Sequence, residues 1–270
     1  MLRTVVSLIA ALGLGVFLAL NWAAISNLWT PKRQLAGLEM VDIKPGNFNL
    51  TILLPNAITR EYFTKLVSIK KPFQISRYEI TVDQWNLCFE DGGCPRKAKL
   101  RRYQNGEHPM TRISWFDAYG FTKWLSEITG ENYRLPTEEE WSYVAGSGKD
   151  ITELTIEDLI QKRQMAGTTP LGRFKKTRKF GAFGKTEWSV SDMTGTVWEW
   201  TLTCKFGSDE ESRKPWTVEQ LSDVNLCPNR IVQGEERAHV PFFVNEVFTG
   251  GCGTGTPVDH IGFRVLKELG

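Results

Sequence analysis

Tyr133-Arg134-Leu135-Pro136-Thr137-Glu138-Glu139-Glu140-Trp141 is the stretch on which the fold turns. Thr137 followed three residues later by Glu140 is a capping box, in which the hydroxyl takes the N3 amide and the N3 carboxylate returns to the N-cap amide. Trp141, Val144 and Ala145 share the buried face of the helix that starts there. Upstream, Ser114 with Asp117 three residues on marks another helix start. Ala118, Phe121, Trp124 and Leu125 fall on one face of that helix before Thr129-Gly130 stops it. Trp115, Trp124 and Trp141 read as core aromatics, because tryptophan at helical spacing mostly supplies buried area.

Working outward, residues 38–54 alternate apolar positions around Pro45-Gly46, which predicts a hairpin turning at that dipeptide. A strand is expected over 73–80 and a short helix over 82–89. Beyond residue 146 only 151–165 carries a further helical pattern. The chain holds 24 glycines and 10 tryptophans and is broken throughout by turn residues, which suits a loop-heavy fold better than a helix bundle.

Of the 270 residues, 41% are hydrophobic. With the apolar N-terminal run set aside, that is enough for one core in one domain of roughly 230 residues. Lysine and arginine number 33 against 31 acidic residues, scattered singly or in short runs such as Lys175-Lys176. Such a charge pattern is not a nucleic-acid footprint.

Residues 5–25 are almost continuously apolar, preceded by Arg3 and closed by Trp22, Trp29 and Pro31. At about 1.5 Å per residue, a helix of that length crosses a hydrocarbon core. A retained signal anchor and a cleaved signal peptide both fit residues 1–29. The anchor is the stronger reading, because the run exceeds a usual signal core and Trp22, Ile25 and Leu28 crowd the cleavage positions. A linker over 30–36 and a folded domain over 37–270 follow. Arg3 on one side faces Lys32 and Arg33 on the other, so flanking charge leaves orientation open.

There are five cysteines. Cys88 and Cys94 bracket Phe89-Glu90-Asp91-Gly92-Gly93, a turn flexible enough for a disulfide, whereas zinc sites use tighter pairs in company with others. Cys204 and Cys227 flank a polar insertion that a bridge at its base would hold down. If both pairs form, the domain belongs to an oxidising compartment, and with the leader that means the periplasm or cell exterior. Cys252 is left over.

Several blocks carry a family resemblance. They are Ile113-Ser114-Trp115-Phe116-Asp117-Ala118, Trp124-Leu125, Thr129-Gly130, residues 133–141, and Asp192-Met193-Thr194-Gly195-Thr196-Val197-Trp198-Glu199-Trp200-Thr201. In this order and spacing they resemble the signature blocks of the formylglycine-generating-enzyme, or sulfatase-modifying-factor, family. Residues 37–46, Tyr78-Glu79-Ile80-Thr81 and Ile261-Gly262-Phe263-Arg264 extend the resemblance to about residues 36–267. It implies a C-type-lectin-like α+β fold, with few helices packed on small twisted sheets and long loops between them. Members of the family oxidise a sulfatase cysteine to formylglycine with copper and two cysteines, act in ergothioneine synthesis, siderophore maturation or denitrification clusters, or serve as binding scaffolds. A fold by itself does not choose among these.

The family's copper(I) site uses two thiolates, the soft ligands that ion prefers, between an Arg-Gly-Gly-Ser-Trp strand and the terminal Gly-Phe-Arg. Residues 230–251, which correspond, contain no cysteine. The expected positions fall near His239 and Val244, and the strand motif has become Gln233-Gly234-Glu235-Glu236-Arg237. Copper-thiol chemistry is therefore not expected. Cys252, His239 and His260 remain as residual catalytic candidates around an atypical metal site. Three histidines without i, i+4 spacing do not suggest non-haem iron.

The resemblance also implies a structural calcium held by Asp192, Gly195, Val197 and Glu199, a mix of carboxylate and carbonyl oxygens suited to that ion. Residues 149–169 do not match the family's second calcium segment. The expectation is a periplasmic, membrane-anchored, non-catalytic accessory or binding factor in the maturation of a protein partner or small metabolite, with loops between 204 and 260 as the contact surface. An oxidoreductase of the formylglycine-generating type and a carbohydrate or small-ligand binder are the alternatives.

Overall fold

The computed structural model describes residues 35, 38–53, 62–146, 177–182, 184–193, 197–204, 216–225, 229–234, 255, 257 and 261–270. They form a mixed helix and sheet structure, and all but residue 35 belong to one compact unit, Leu38–Gly270. Residues 5–25 and 151–165 lie outside the described residues. Among those described, no helix is long and apolar enough to cross a membrane.

Three small sheets carry the fold. The first has the order β1 (Met40–Ile43), β4 (Phe73–Ser76), β9 (Leu266–Glu268), β5 (Tyr133–Arg134), so the last strand of the chain fills its middle. The second pairs β2 (Gly46–Leu53) with β3 (Tyr62–Ile69), from Gly46↔Ile69 to Leu53↔Tyr62. The third places β6 (Trp198–Cys204) between antiparallel β7 (Arg230–Gln233) and parallel β8 (Ile261–Gly262).

Pro45-Gly46 is therefore not the turn of a hairpin. β1 pairs with β4 in the first sheet and β2 with β3 in the second, so the dipeptide carries the chain from one sheet to the other. Proline has no N–H to give a ladder, which suits a strand boundary. A Cβ at Gly46 would meet the Tyr143 hydroxyl, so any larger residue there would have to move that ring. The expected strand over 73–80 is shorter than predicted and ends at Ser76.

Each longer helix begins on the cap its sequence announces. α1 (Val82–Glu90) starts at Thr81 with Gln84, α2 (Trp115–Thr129) at Ser114 with Asp117, and α3 (Glu138–Ala145) at Thr137 with Glu140, all as full capping boxes. Gly130 and Gly146 close the last two in the left-handed conformation that L side chains resist. A single turn, α4 (Val218–Leu221), follows β6.

One apolar cluster joins Ile43, Leu50, Val67, Phe73, Trp141 and Leu266 across the first two sheets and α3. A set of aromatic contacts centred on Phe121 links α1, α2 and the terminal segment through Trp85, Trp124 and Phe263, at centroid distances of 5.2 to 6.4 Å. The expected face of α2 is buried as read, and on α3 Trp141 and Val144 are buried while Ala145 is partly so.

Candidate functional site

β6 is the strand on which the buried polar groups converge. Trp115 Nε1 donates to the Thr201 carbonyl at 2.8 Å, and Trp200 Nε1 donates to the Ile113 carbonyl at 3.2 Å. This exchange bolts the start of α2 to the middle of β6. It also satisfies two indoles that burial would otherwise leave unbonded at a cost. Trp141 on α3 donates to Glu199 Oε2 at 2.8 Å, so three tryptophans from three motif blocks lock the same strand.

Glu199 also receives Arg264 as a fork, Nε to Oε2 at 2.6 Å and Nη2 to Oε1 at 2.7 Å. Arg264 completes its donor set on backbone carbonyls, with Nη1 reaching Ser76 and Arg77 and Nη2 reaching Ser191. Both side chains are sealed from solvent. Burial pulls against the guanidinium's charge. The Glu199 carboxylate, aided by Glu79 and Asp192, outweighs that penalty, and the pKa of Arg264 rises above the ordinary arginine value.

Asp192 is buried and takes φ 61°, the left-handed region that aspartate tolerates better than most residues. Its carboxylate accepts the Gly181 N–H, and its own N–H donates to the Gly184 carbonyl at 3.1 Å. Asp192 and Glu199 thus both favour the charge of one guanidinium, Glu199 through direct hydrogen bonds and Asp192 through its charge. Val197 is buried beside β8. Gly195 lies outside the described residues. Among the described residues, no group of three or more His, Cys, Asp or Glu side chains is placed to hold a metal ion. A calcium ion would draw instead on the two carboxylates and neighbouring carbonyls. It would share Glu199 with Arg264, whose fork leaves Oε1 with a single described hydrogen bond.

A second buried guanidinium went unforeseen in the sequence. Arg230 on β7 stacks on the Trp115 ring at 4.0 Å and donates to the Leu202, Leu221 and Asp223 carbonyls at 2.5 to 2.9 Å. Burial, only partly offset by Tyr119 and Asp223, lowers its pKa to about 10. It ties α4 and the following turn to β6, at the base of the 205–229 insertion. A lone arginine before Ile-Val gave no sequence signal for this.

Cys88 and Cys94 are joined in a disulfide, as their spacing suggested. Cys204 at the end of β6 is also disulfide-bonded, with a partner outside the described residues. Cys227 and the residual candidates His239, Cys252 and His260 lie outside the described residues too.

A mixed α+β scaffold, with a tryptophan-rich strand fixed by a buried guanidinium–carboxylate fork, is the class that this geometry defines. The family model described as "Sulfatase-modifying factor enzyme 1-like domain" matches residues 26–269, and the chain belongs to that family. Among solved structures it resembles PvdO from Pseudomonas aeruginosa, with a TM-score of 0.60 at 24% identity over 85% of this chain and 94% of that one. It also resembles CarF, with a TM-score of 0.53 at 17% identity over 86% and 99% of the two chains. At these identities the likeness is one of fold.

Among curated proteins, the formylglycine-generating enzyme of Mycobacterium tuberculosis is 30% identical over 106 residues, 36% of this chain and 33% of the enzyme. The inactive C-alpha-formylglycine-generating enzyme 2 of Bos taurus is 28% identical over 116 residues, 40% and 36% of the two. The chaperone protein LppX of Paenibacillus barcinonensis is 25% identical over 177 residues, 47% and 61% of the two. The chain thus spans only about a third of the first two relatives and less than two thirds of the third.

Proposed function

We propose that the chain is an extracytoplasmic, non-catalytic accessory or binding factor in the maturation of a partner protein or metabolite. One observation carries this reading: the scaffold strands and caps are intact, while residues 230–251, where active relatives hold copper between two cysteines, contain no cysteine. One thiolate does not make the two-coordinate site copper(I) favours. Relatives named as an inactive formylglycine-generating enzyme and as a chaperone support a scaffold turned to binding. Two cysteine pairings and the apolar run at 5–25 support a periplasmic location with a membrane anchor. A structural calcium at Asp192, Gly195, Val197 and Glu199 belongs to the same reading, supported by the buried carboxylates of Asp192 and Glu199. The test is turnover. The purified chain, supplied with copper and a cysteine-containing peptide, is expected to leave the thiol unconverted. Conversion lost in Cys252→Ser would establish the oxidoreductase reading instead.

A further inference from the structure

Five of the seven residues from 96 to 102 are lysine or arginine. The structure adds two more cations from far away in sequence. Gln104 Nε2 donates to Thr177 Oγ1 at 3.1 Å, the Phe180 N–H donates to the Glu107 carbonyl at 3.2 Å, and Lys179 pairs with Glu107. Arg178 and Lys179 therefore stand beside residues 104–107, the stretch that follows the 96–102 loop. Lys97, Lys99, Arg101 and Arg102 are exposed on that loop. Leu100 within the loop and Phe180 beside Glu107, at 49% and 38% exposure, add apolar surface.

This loop is held in shape before any partner arrives. The Cys88–Cys94 disulfide fixes its start, Trp85 Nε1 donates to the Arg96 carbonyl at 2.8 Å, and the Ala98 N–H donates to Asn86 Oδ1 at 3.0 Å. Arg101 and Gln104 close its far end through a backbone turn and a side-chain amide, both at 2.9 Å. A surface ordered in advance loses little entropy on binding. The chain's own carboxylates already show what the surface accepts. Asp117 takes Arg96 at 3.2 Å, Glu90 lies 3.8 Å from Lys97, and Glu107 takes Lys179.

We propose that this face docks an acidic, flexible segment of a protein partner, its carboxylates on Lys99 and Arg102 and an apolar side chain on Leu100. The proposal rests on the binding-factor reading above and gives the partner's chemistry. Carboxylate complementarity favours a peptide over a bilayer, because Leu100 and Phe180 each show half or less of their surface and Phe180 leans on the Tyr78 ring at 4.7 Å. Membrane-inserting surfaces need apolar side chains that reach past the cations.

The experiment titrates the full chain into a fluorescein-labelled oligoglutamate peptide and follows anisotropy at low and high salt. Saturable binding that weakens with salt is expected. In Lys99→Glu/Arg102→Glu it is expected to weaken by about tenfold, the scale of two reversed rim charges. Lys70→Glu/Lys71→Glu, an exposed pair just past the end of β3, should leave it unchanged. Absence of saturable binding, or equal loss in both variants, overturns the proposal. So does a peptide that fails to bind while vesicles containing phosphatidylglycerol, unlike phosphatidylcholine alone, bind in a way the first variant abolishes. The cysteine-oxidation assay is independent of all these outcomes, so the docking surface can fail while the non-catalytic reading stands.

Discussion

Arg264 and Glu199 meet as a two-bonded fork at 2.6 and 2.7 Å, both sealed from solvent and 65 residues apart in the chain. The pair closes β6 against the end of the chain. Removing one partner leaves the other charge buried without its match, which costs about 3 to 5 kcal/mol, whereas replacing both by apolar groups costs much less. Glu199→Gln should therefore lower the urea midpoint sharply. Glu199→Leu/Arg264→Met should recover part of that loss, and equal losses in both variants would contradict the pairing.

Glu140 gives the fold a specific sensitivity to acid. Burial opposes its charge, yet the Arg134 guanidinium, donating to both carboxylate oxygens at 2.7 Å, and the Thr137 cap hold its pKa below the ordinary value of 4.5. A carboxylate with a lowered folded pKa contributes stability fully above its unfolded pKa and loses it as pH falls through the folded one. Stability should fall below about pH 4.5 and more steeply in the parent than in Glu140→Gln, as urea midpoints across that range will show.

Two glycines should answer in opposite directions to the same change. A Cβ at Gly262 would stand 2.7 Å from the Met110 carbonyl and 3.0 Å from Val197, where β8 runs against β6. Gly262→Ala is expected to cost about 1 to 3 kcal/mol through overpacking. Gly120, inside α2, has open space at its Cβ position. Gly120→Ala should stabilise the chain by about 0.4 to 1 kcal/mol, through a less floppy unfolded state and better helix propensity. Thermal midpoints measured side by side decide both.

Much of this was legible in the sequence because it is local. Capping boxes at Ser114 and Thr137 are written in four consecutive residues, and the Cys88 and Cys94 spacing speaks for itself. The hairpin at Pro45-Gly46 misled because alternation shows which face of a strand is buried, not which strand lies beside it. Both β1 and β2 alternate, and each found its partner after the 54–61 connection. The Arg230 stack on Trp115 and the bond from Gln104 to Thr177 join residues more than 70 positions apart. Only the folded chain brings those together.

Calcium offers a test of the Asp192 and Glu199 carboxylates. If the ion binds there, chelation should lower the thermal midpoint, added calcium should restore it, and Asp192→Asn should weaken the response more than Asp42→Asn, an exposed control. A midpoint indifferent to chelator and calcium would remove the ion from the account.

The central claim, an intact family scaffold without its oxidase chemistry, is met most directly by mass spectrometry of a cysteine-containing sulfatase peptide incubated with the purified chain, copper and oxygen. The account predicts that the peptide keeps its thiol in every sample, with the parent chain and Cys252→Ser indistinguishable. Formylglycine in the parent sample, reduced or lost in Cys252→Ser, would contradict it.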